Sequence, residues 1–244
     1  MKHIVSFSGG KDSTAMLLMM LEKNMQIDEI IFCDTGIEFD EMYAHVDKVK
    51  KNIGMDITVL KSEKTFEYYL FEHKKRSEKN KDIGYGFPRM MTNRWCTSRL
   101  KTDLIKKHLK QYEDVKMYVG IAYDEPKRLK NEIYPLYEWK ITEQQALDYC
   151  FDKGYEWNGL YKKFSRVSCW CCPMQGLKEL YNLYKYYPEK WKKLKEWEGK
   201  TYNNFRCDYT LHKLEMRFKS NMWWENNQQS MFTIPLEKIM EAKL

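Results

Sequence analysis

Short apolar runs punctuate the first half of the chain, and the segments between them carry helical spacing. Lys2-His3-Ile4-Val5-Ser6-Phe7 leads into Gly9-Gly10, and Asp28-Glu29-Ile30-Ile31-Phe32-Cys33 and Asp56-Ile57-Thr58-Val59-Leu60 repeat the pattern. Val115 to Val119 is a fourth run, ending at Gly120. Branched and aromatic residues bounded by turn residues in this way predict strands. Between them, Ala15 to Leu21 is rich in Met and Leu, and Asp40 to Asn52 places Met42, Val46 and Val49 on one side. Thr65 to His73 and Ser98 to Gln111 are further predicted helices, the latter with Leu100, Leu104, Ile105 and Leu109 on its apolar face. Strands separated by helix-length segments imply βαβ units. The expected fold class is therefore α/β, a mainly parallel sheet of about five strands flanked by helices. Right-handed connections put all strand C-termini on one edge, where open α/β sheets bind ligands. Gly9-Gly10, Asp34-Thr35-Gly36 and Gly120 to Glu125 all fall there.

Ser77 to Asn93 is polar, with Gly84, Gly86 and Pro88, and reads as a long loop. Past Asn131 the texture changes. Thr142-x-x-Gln145 has the form of a capping box and opens a helix to about Lys153. In the last third, Leu180, Leu183, Tyr184, Tyr187, Trp191, Leu194 and Trp197 recur at helical steps, with lysines mostly elsewhere. This predicts two amphipathic helices split before Pro188 and packed on the core; interleaved with Lys185 and Lys190 to Lys195, the same aromatics also suit base stacking. Trp223-Trp224 fits a core anchor or a partner surface. The expected organisation is a nucleotide-binding domain over residues 1–175 and a helical extension over 176–244.

A hydrophobic fraction of 43% with 32% charged residues describes a globular chain without an apolar run long enough to span a bilayer. The N-terminus reads as a strand rather than a signal peptide, so a cytoplasmic location without a membrane partner is expected. Seven cysteines there point to thiols or metal ligands rather than a disulfide frame. The net charge of +7 suits an anionic nucleotide as well as nucleic acid. The basic run His73-Lys74-Lys75-Arg76, with Lys79 and Lys81, reads as a solvated loop.

Ser8-Gly9-Gly10-Lys11-Asp12-Ser13 joins the first strand to the first helix. Two glycines allow a tight bend that turns several N–H groups toward one anion, and the helix N-terminus adds its dipole. Lys11 supplies a mobile positive charge for phosphate. It is not a Walker A loop, because Val5 stands where that motif needs its first glycine. A second constellation pairs Arg94-Trp95-Cys96-Thr97-Ser98-Arg99-Leu100-Lys101 with Ser168-Cys169-Trp170-Cys171-Cys172-Pro173. Cys169 and Cys172 have the C-x-x-C spacing that lets two thiolates reach one metal or cluster. Buried free thiols are the alternative. Cysteine-only ligation does not by itself separate iron–sulfur from zinc.

The loop resembles the PP-loop, SGGxDS, of the adenine nucleotide alpha-hydrolase superfamily, and the chain as a whole resembles its PAPS reductase-like family. The resemblance implies a Rossmann-like nucleotide-binding fold. It implies that Ser8, Gly9, Gly10, Lys11, Asp12 and Ser13 line the phosphate site, with Lys11 and Asp12 as catalytic candidates. Cys33-Asp34-Thr35-Gly36-Ile37-Glu38-Phe39 is similar to a D-T-G-x-x-F segment, which makes Asp34 and Thr35 candidate adenosine contacts; Cys33 itself reads as a small core residue. Gly120 to Arg128 looks like the reductase-like loop G-x-R-x-x-E/D-S-x-x-R, with Ala122 and Pro126 departing from it, and carries over Arg128 as an anion-binding candidate. Cluster-bearing reductases hold a [4Fe–4S] cluster with Cys-Cys-x-x-Arg and a later Cys-x-x-Cys. Cys96 and Arg99 match the first segment, with Trp95 in place of its other cysteine, and Cys169 and Cys172 match the second. Cys171 is the expected fourth ligand, with Cys207 or an open fourth site as the alternatives.

Three functions follow as expectations. The first in rank is ATP-dependent chemistry at the alpha-phosphate, an adenylation that releases pyrophosphate, with Mg2+ screening the triphosphate and a sulfur donor feeding the cysteines. The second is a sulfonucleotide (PAPS or APS) reductase acting with a thiol partner, against which Phe205-Arg206-Cys207-Asp208-Tyr209 fails to match the expected E-C-G-I/L-H nucleophile motif. The third is a non-catalytic nucleotide sensor or partner subunit with structural zinc.

Overall fold

The computed structural model describes residues 1–73, 84–89, 94–167 and 169–232. The basic run from Lys74 to Lys81, most of the Ser77 to Asn93 loop, and Ser168 lie outside the described residues. The chain divides into two compact units, Met1–Met174 and Gln175–Leu244.

The first unit is built on a parallel sheet of four strands: β1 (Lys2–Ser6), β2 (Glu29–Asp34), β3 (Ile57–Lys61) and β4 (Val115–Val119), in the order β3-β2-β1-β4. Each is a short branched run, as the apolar pattern predicts. β1 sits inside the sheet, pairing Val5 with Ile30 of β2 and Ser6 with Val119 of β4. Ile4, Val5, Ile30 and Ile31 are buried. Among the described residues the sheet stops at four strands rather than about five. Beyond β4 the chain pairs only at Ile133, which exchanges backbone hydrogen bonds with Met117 and Val119 (both 2.9 Å). Pro135 follows at once and starts a helical turn, so the pairing does not lengthen into a strand.

Helices α1 (Lys11–Glu22), α2 (Asp40–Ile53), α3 (Phe66–Phe71), α4 (Trp95–Thr97) and α5 (Asp103–Leu109) connect these strands. A π-helical stretch, Ser98–Thr102, joins α4 to α5, so the helix predicted from Ser98 starts earlier and is locally wide. Only Leu100 of its expected apolar face is fully buried. After β4 come α6 (Pro135–Glu138), α7 (Glu143–Asp152) and α8 (Leu160–Lys163). α7 carries the predicted capping box: Thr142 accepts from the Gln145 N–H, and the Gln145 side chain accepts from the Thr142 N–H.

Strand order reverses where β1 meets β4, and at such a point the loops after the two strands splay apart to leave a crevice. The Gly9-Gly10 turn follows one strand and Gly120 follows the other. A Cβ on Gly120 would lie 2.7 Å from the Ser13 backbone, so this position must be glycine for β4 to meet the start of α1.

The second unit holds α9 (Leu177–Tyr186), α10 (Pro188–Lys200) and α11 (Leu211–Phe232). Leu180, Leu183, Trp191, Leu194 and Trp197 are buried, so the helical stripe is a core. That core is the unit's own: Phe218 of α11 packs on Tyr181, Tyr184 and Trp191 at 5.4–5.8 Å between ring centroids. Trp223 and Trp224 are exposed and meet each other edge-on. Among the described residues no helix is long and apolar enough to cross a membrane.

Candidate nucleotide site and cysteine cluster

The glycine loop is braced from within and from outside. Gly9 has φ +77°, and a Cβ there would sit 2.5 Å from the Met42 sulfur, so the loop lies tight on α2. The Ser8 N–H donates to Ser13 Oγ (3.1 Å), and the Ser13 hydroxyl donates to the Gly10 carbonyl (3.0 Å). From the far end of the unit, the Trp157 indole N–H donates to the Gly9 carbonyl (2.7 Å), and the Lys11 N–H donates to the Tyr161 hydroxyl (2.8 Å). Trp157 and Asn158 both hold left-handed backbone, at φ 47° and 48°. For non-glycine residues this is strained, and such strain gathers at functional sites.

Lys11 is buried at 8% exposure, and its ammonium bridges Asp12 (2.8 and 3.0 Å) and Glu143 (3.3 Å). Burial raises the Asp12 carboxyl above its usual range, with the Lys11 charge pulling the other way. Oxygens of Asp12, Glu125 and Glu143 lie within 4.8 Å of one another, a hard-oxygen set of the kind that holds a divalent cation.

A cavity of about 480 Å³ opens over the loop. Ser8, Gly10, Lys11, Asp12 and Ser13 line one part of it, and Lys101, Glu38 and Cys169 another. Its wall includes four cations, Lys11, Lys101, Arg128 and Arg166, and four carboxylates, Asp12, Glu38, Glu125 and Glu143. Arg128, the anion-binding candidate, is on this wall and ion-paired to Glu125. Asp34 and Thr35 are not. Asp34 accepts from the Gly36 N–H (2.8 Å), Tyr43 (2.8 Å) and Lys61 (2.7 Å), which ties down the turn after β2. Thr35 is buried and donates to Glu38 (2.9 Å).

The four candidate cysteines, Cys96, Cys169, Cys171 and Cys172, gather in one neighbourhood. Burial pushes the Cys96, Cys169 and Cys171 thiols up, and each feels the charge of others in the set. Cys169 also donates to the buried Glu38 carboxylate (3.4 Å), which is paired with Lys101 (3.8 Å). Cys33 is half-buried and its thiol is pushed up to about 11 by burial, as befits a packing residue. Cys207 is exposed and belongs to the second unit. Trp95, in place of the other family cysteine, is a core residue: its indole N–H donates to the Gly86 carbonyl (2.9 Å) and its ring packs on Phe66 at 4.8 Å.

Residues 2–175 match the profile of the phosphoadenosine phosphosulfate reductase domain. The chain belongs to this family. Two uncharacterized proteins of Methanocaldococcus jannaschii are similar to it: one is 30% identical over 93% of the chain and 46% of the relative, the other 32% identical over 77% and 45%. An uncharacterized nin region protein of Escherichia phage lambda is 30% identical over 53% of the chain and 51% of its own length. The chain thus spans about half the length of these curated relatives. Among solved structures, phosphoadenylyl-sulfate (PAPS) reductase from Candida auris in its phosphate complex overlays with a TM-score of 0.50 at 16% identity, covering 70% of this chain and 82% of that one. That likeness shows the fold.

Four thiols in one neighbourhood are a donor set of the kind that holds a metal. Tetrahedral zinc, with Zn–S bonds of about 2.3 Å, draws its thiolates to about 3.8 Å apart. Among the described residues no three cysteine sulfurs lie within 4.8 Å of one another. Closing on a single zinc ion would require these side chains to draw together; the donor set itself, four thiols, suits zinc and an iron–sulfur cluster alike.

Sequence reasoning missed Glu38, Lys101, Glu143, Tyr161 and Arg166 as site residues. Lys101 and Glu38 stood inside quoted motifs but without a role. Glu143 is simply the first residue after a capping box, and Tyr161 and Arg166 reach the loop only through the fold-back after α7.

Proposed function

We propose that this protein binds ATP with Mg2+ at the phosphate loop and performs adenylation at the alpha-phosphate coupled to sulfur transfer. The observation that carries the reading is the single cavity shared by Lys11, Asp12 and Ser13 at one part and Cys169 at another. The loop N–H groups and the Lys11 ammonium bind the phosphate oxygens and offset their charge. An oxygen of the acceptor attacks the alpha-phosphorus, its bond to pyrophosphate breaks, and pyrophosphate leaves with the electron pair. Attack by sulfur from a donor then displaces AMP. Asp12, Glu125 and Glu143 would hold Mg2+, which would supply charge neutralisation of the polyphosphate. The balance of charge favours this substrate. With four carboxylates against four cations, the wall offers a bare polyanion little net attraction, and a cation-complexed polyphosphate reconciles both sets. Asp34 and Thr35 act on this reading by shaping the turn beside the adenosine. Cys96, Cys169 and Cys172, with Cys171 beside them, would hold a [4Fe–4S] cluster, which would bind donor sulfur only where Cys171 leaves the fourth position open.

Calorimetric titration with ATP, with and without Mg2+, and a pyrophosphate-release assay test the reading. Wild-type protein should bind ATP in a Mg2+-dependent way, and Lys11→Ala should abolish binding or release. Anaerobic purification should yield iron and sulfide in preference to zinc. A second reading, reduction of a sulfonucleotide with a thiol partner, is favoured by the family match over residues 2–175. Tighter binding of PAPS than of ATP, with thiol-dependent sulfite release, would establish it and overturn the first. Binding without turnover leaves a nucleotide sensor.

A further inference from the structure

The cations around the cavity differ in how they are compensated. Lys11 is bridged to Asp12 and Glu143, Lys101 to Glu38, and Arg128 to Glu125. Arg166 is exposed, lines the same cavity, and pairs with no carboxylate among the described residues. A guanidinium held at a cavity wall without a partner is a ready ligand for a phosphate, to which its planar fork binds through two N–H bonds.

Tyr161 lies five residues earlier on the same wall. Its hydroxyl accepts the Lys11 N–H, the first of α1, and its own proton has no acceptor among the described residues. A hydroxyl that accepts from a helix N-terminal N–H is polarised into a stronger donor. The ring is fixed edge-on against Trp157 (4.7 Å between centroids), whose indole is bonded to Gly9, so the hydroxyl is held against the loop rather than swinging freely.

We infer that Tyr161 and Arg166 form a second phosphate-binding wall, facing the glycine loop and supplied by the segment that leads into the cysteine motif. Tyr161 donates a neutral hydrogen bond to a phosphate oxygen, extending the positive end of α1. Arg166 supplies the uncompensated charge. This inference rests on the nucleotide reading above and adds residues that the loop motif does not contain. Because both groups are assigned to phosphate oxygens, it also makes affinity depend on the number of phosphates.

Titration of the full chain with ATP, AMP, adenosine and inorganic pyrophosphate, each with Mg2+, tests it. Arg166→Ala should weaken ATP and pyrophosphate about ten- to a hundredfold, as for loss of a charge-assisted hydrogen bond, and leave adenosine unchanged. Arg166→Lys should recover part of the loss. Tyr161→Phe should weaken ATP about three- to tenfold, again without effect on adenosine. Thermal melting should not move in Arg166→Ala, since the side chain is exposed and unpaired among the described residues, which separates lost binding from lost folding. Wild-type binding with unchanged ATP and pyrophosphate affinity in both alanine and phenylalanine variants refutes the wall while leaving the nucleotide reading intact. Equal losses for adenosine and ATP refute it as well. A wild-type protein that binds none of the four compounds overturns both.

Discussion

Replacing Gly120 by alanine should damage the site through a single methyl group. The added Cβ would lie 2.7 Å from both the Cα and the N of Ser13 and 2.9 Å from the Asp12 carbonyl carbon. All three atoms are backbone, so no side-chain rotation relieves the clash. Reaching ordinary contact at 3.4 Å requires β4 and the first turn of α1 to part by about 0.7 Å. Overpacking of this kind costs about 1–3 kcal/mol. At about 2–4 °C per kcal/mol for a chain of this size, the first unit should melt about 2–12 °C lower. The functional loss should exceed the loss of stability. The displaced turn carries the Ser13 hydroxyl that receives the Ser8 N–H at 3.1 Å, and misplacing positioned groups by about 1 Å costs on the order of a hundredfold. Circular dichroism melting gives the first number and ATP titration the second. Gly199 is the internal control: it sits in α10 with nothing within 4 Å of its built Cβ, so Gly199→Ala should stabilise by about 0.5–1 kcal/mol. A Gly120→Ala protein that melts within a degree of wild type and binds ATP unchanged would show that the loop is not clamped in this way.

Trp157→Phe keeps a ring on His45 but removes the donor to the Gly9 carbonyl; unfolding by urea should show a loss of about 1–3 kcal/mol, with ATP bound several-fold more weakly. Thr142→Ala removes the cap of α7 and should cost about 1 kcal/mol by the same measurement, with Thr142→Ser restoring most of it. Burial pushes His45 down to about 3 from its ordinary value of 6.5, so the folded protein keeps it neutral while the unfolded chain protonates. Stability should therefore be full above about pH 6.5 and fall as pH drops toward 3, at a limiting slope of about 1.4 kcal/mol per pH unit. Denaturant melts between pH 7 and pH 4 should show this slope flattened in His45→Gln; an equal slope in both proteins contradicts the assignment.

The strands and the glycine turn between β1 and α1 were legible because they are local: branched runs, a double glycine, and a helix start written within a few residues. The capping box at Thr142 was legible for the same reason. The sheet has four strands among the described residues against about five expected; beyond them Ile133 pairs for one residue before Pro135 ends the extended conformation. The extended start of the helix at Trp95 failed because a π-helical stretch keeps no fixed period. Lys11, Asp12 and Ser13, which line the cavity, stand in one motif; Cys169 and Cys172 are marked by their C-x-x-C spacing, Cys171 by lying inside it, and Cys96 only by the family resemblance. Asp34 and Thr35 were legible as a motif, but their side chains are engaged with Lys61, Tyr43 and Glu38 off the cavity wall. Glu143, Tyr161 and Arg166 were not legible, since nothing near them in sequence distinguishes them from an ordinary helix start or a polar turn. They acquire a role only when residues more than a hundred positions apart are brought together.

The Trp157–Gly9 and Tyr161–Lys11 hydrogen bonds also set an order of events during synthesis. The glycine loop is among the first parts of the chain made, yet its neighbour strand β4 arrives at residues 115–119 and its outer clamps at 157 and 161. A nascent chain can pair β1 with β2, and β2 with β3, long before it can hold the loop in shape. Contacts of such sequence separation form slowly. Affinity for nucleotide should therefore appear late, after the sheet, and ATP supplied during refolding should accelerate only the final step.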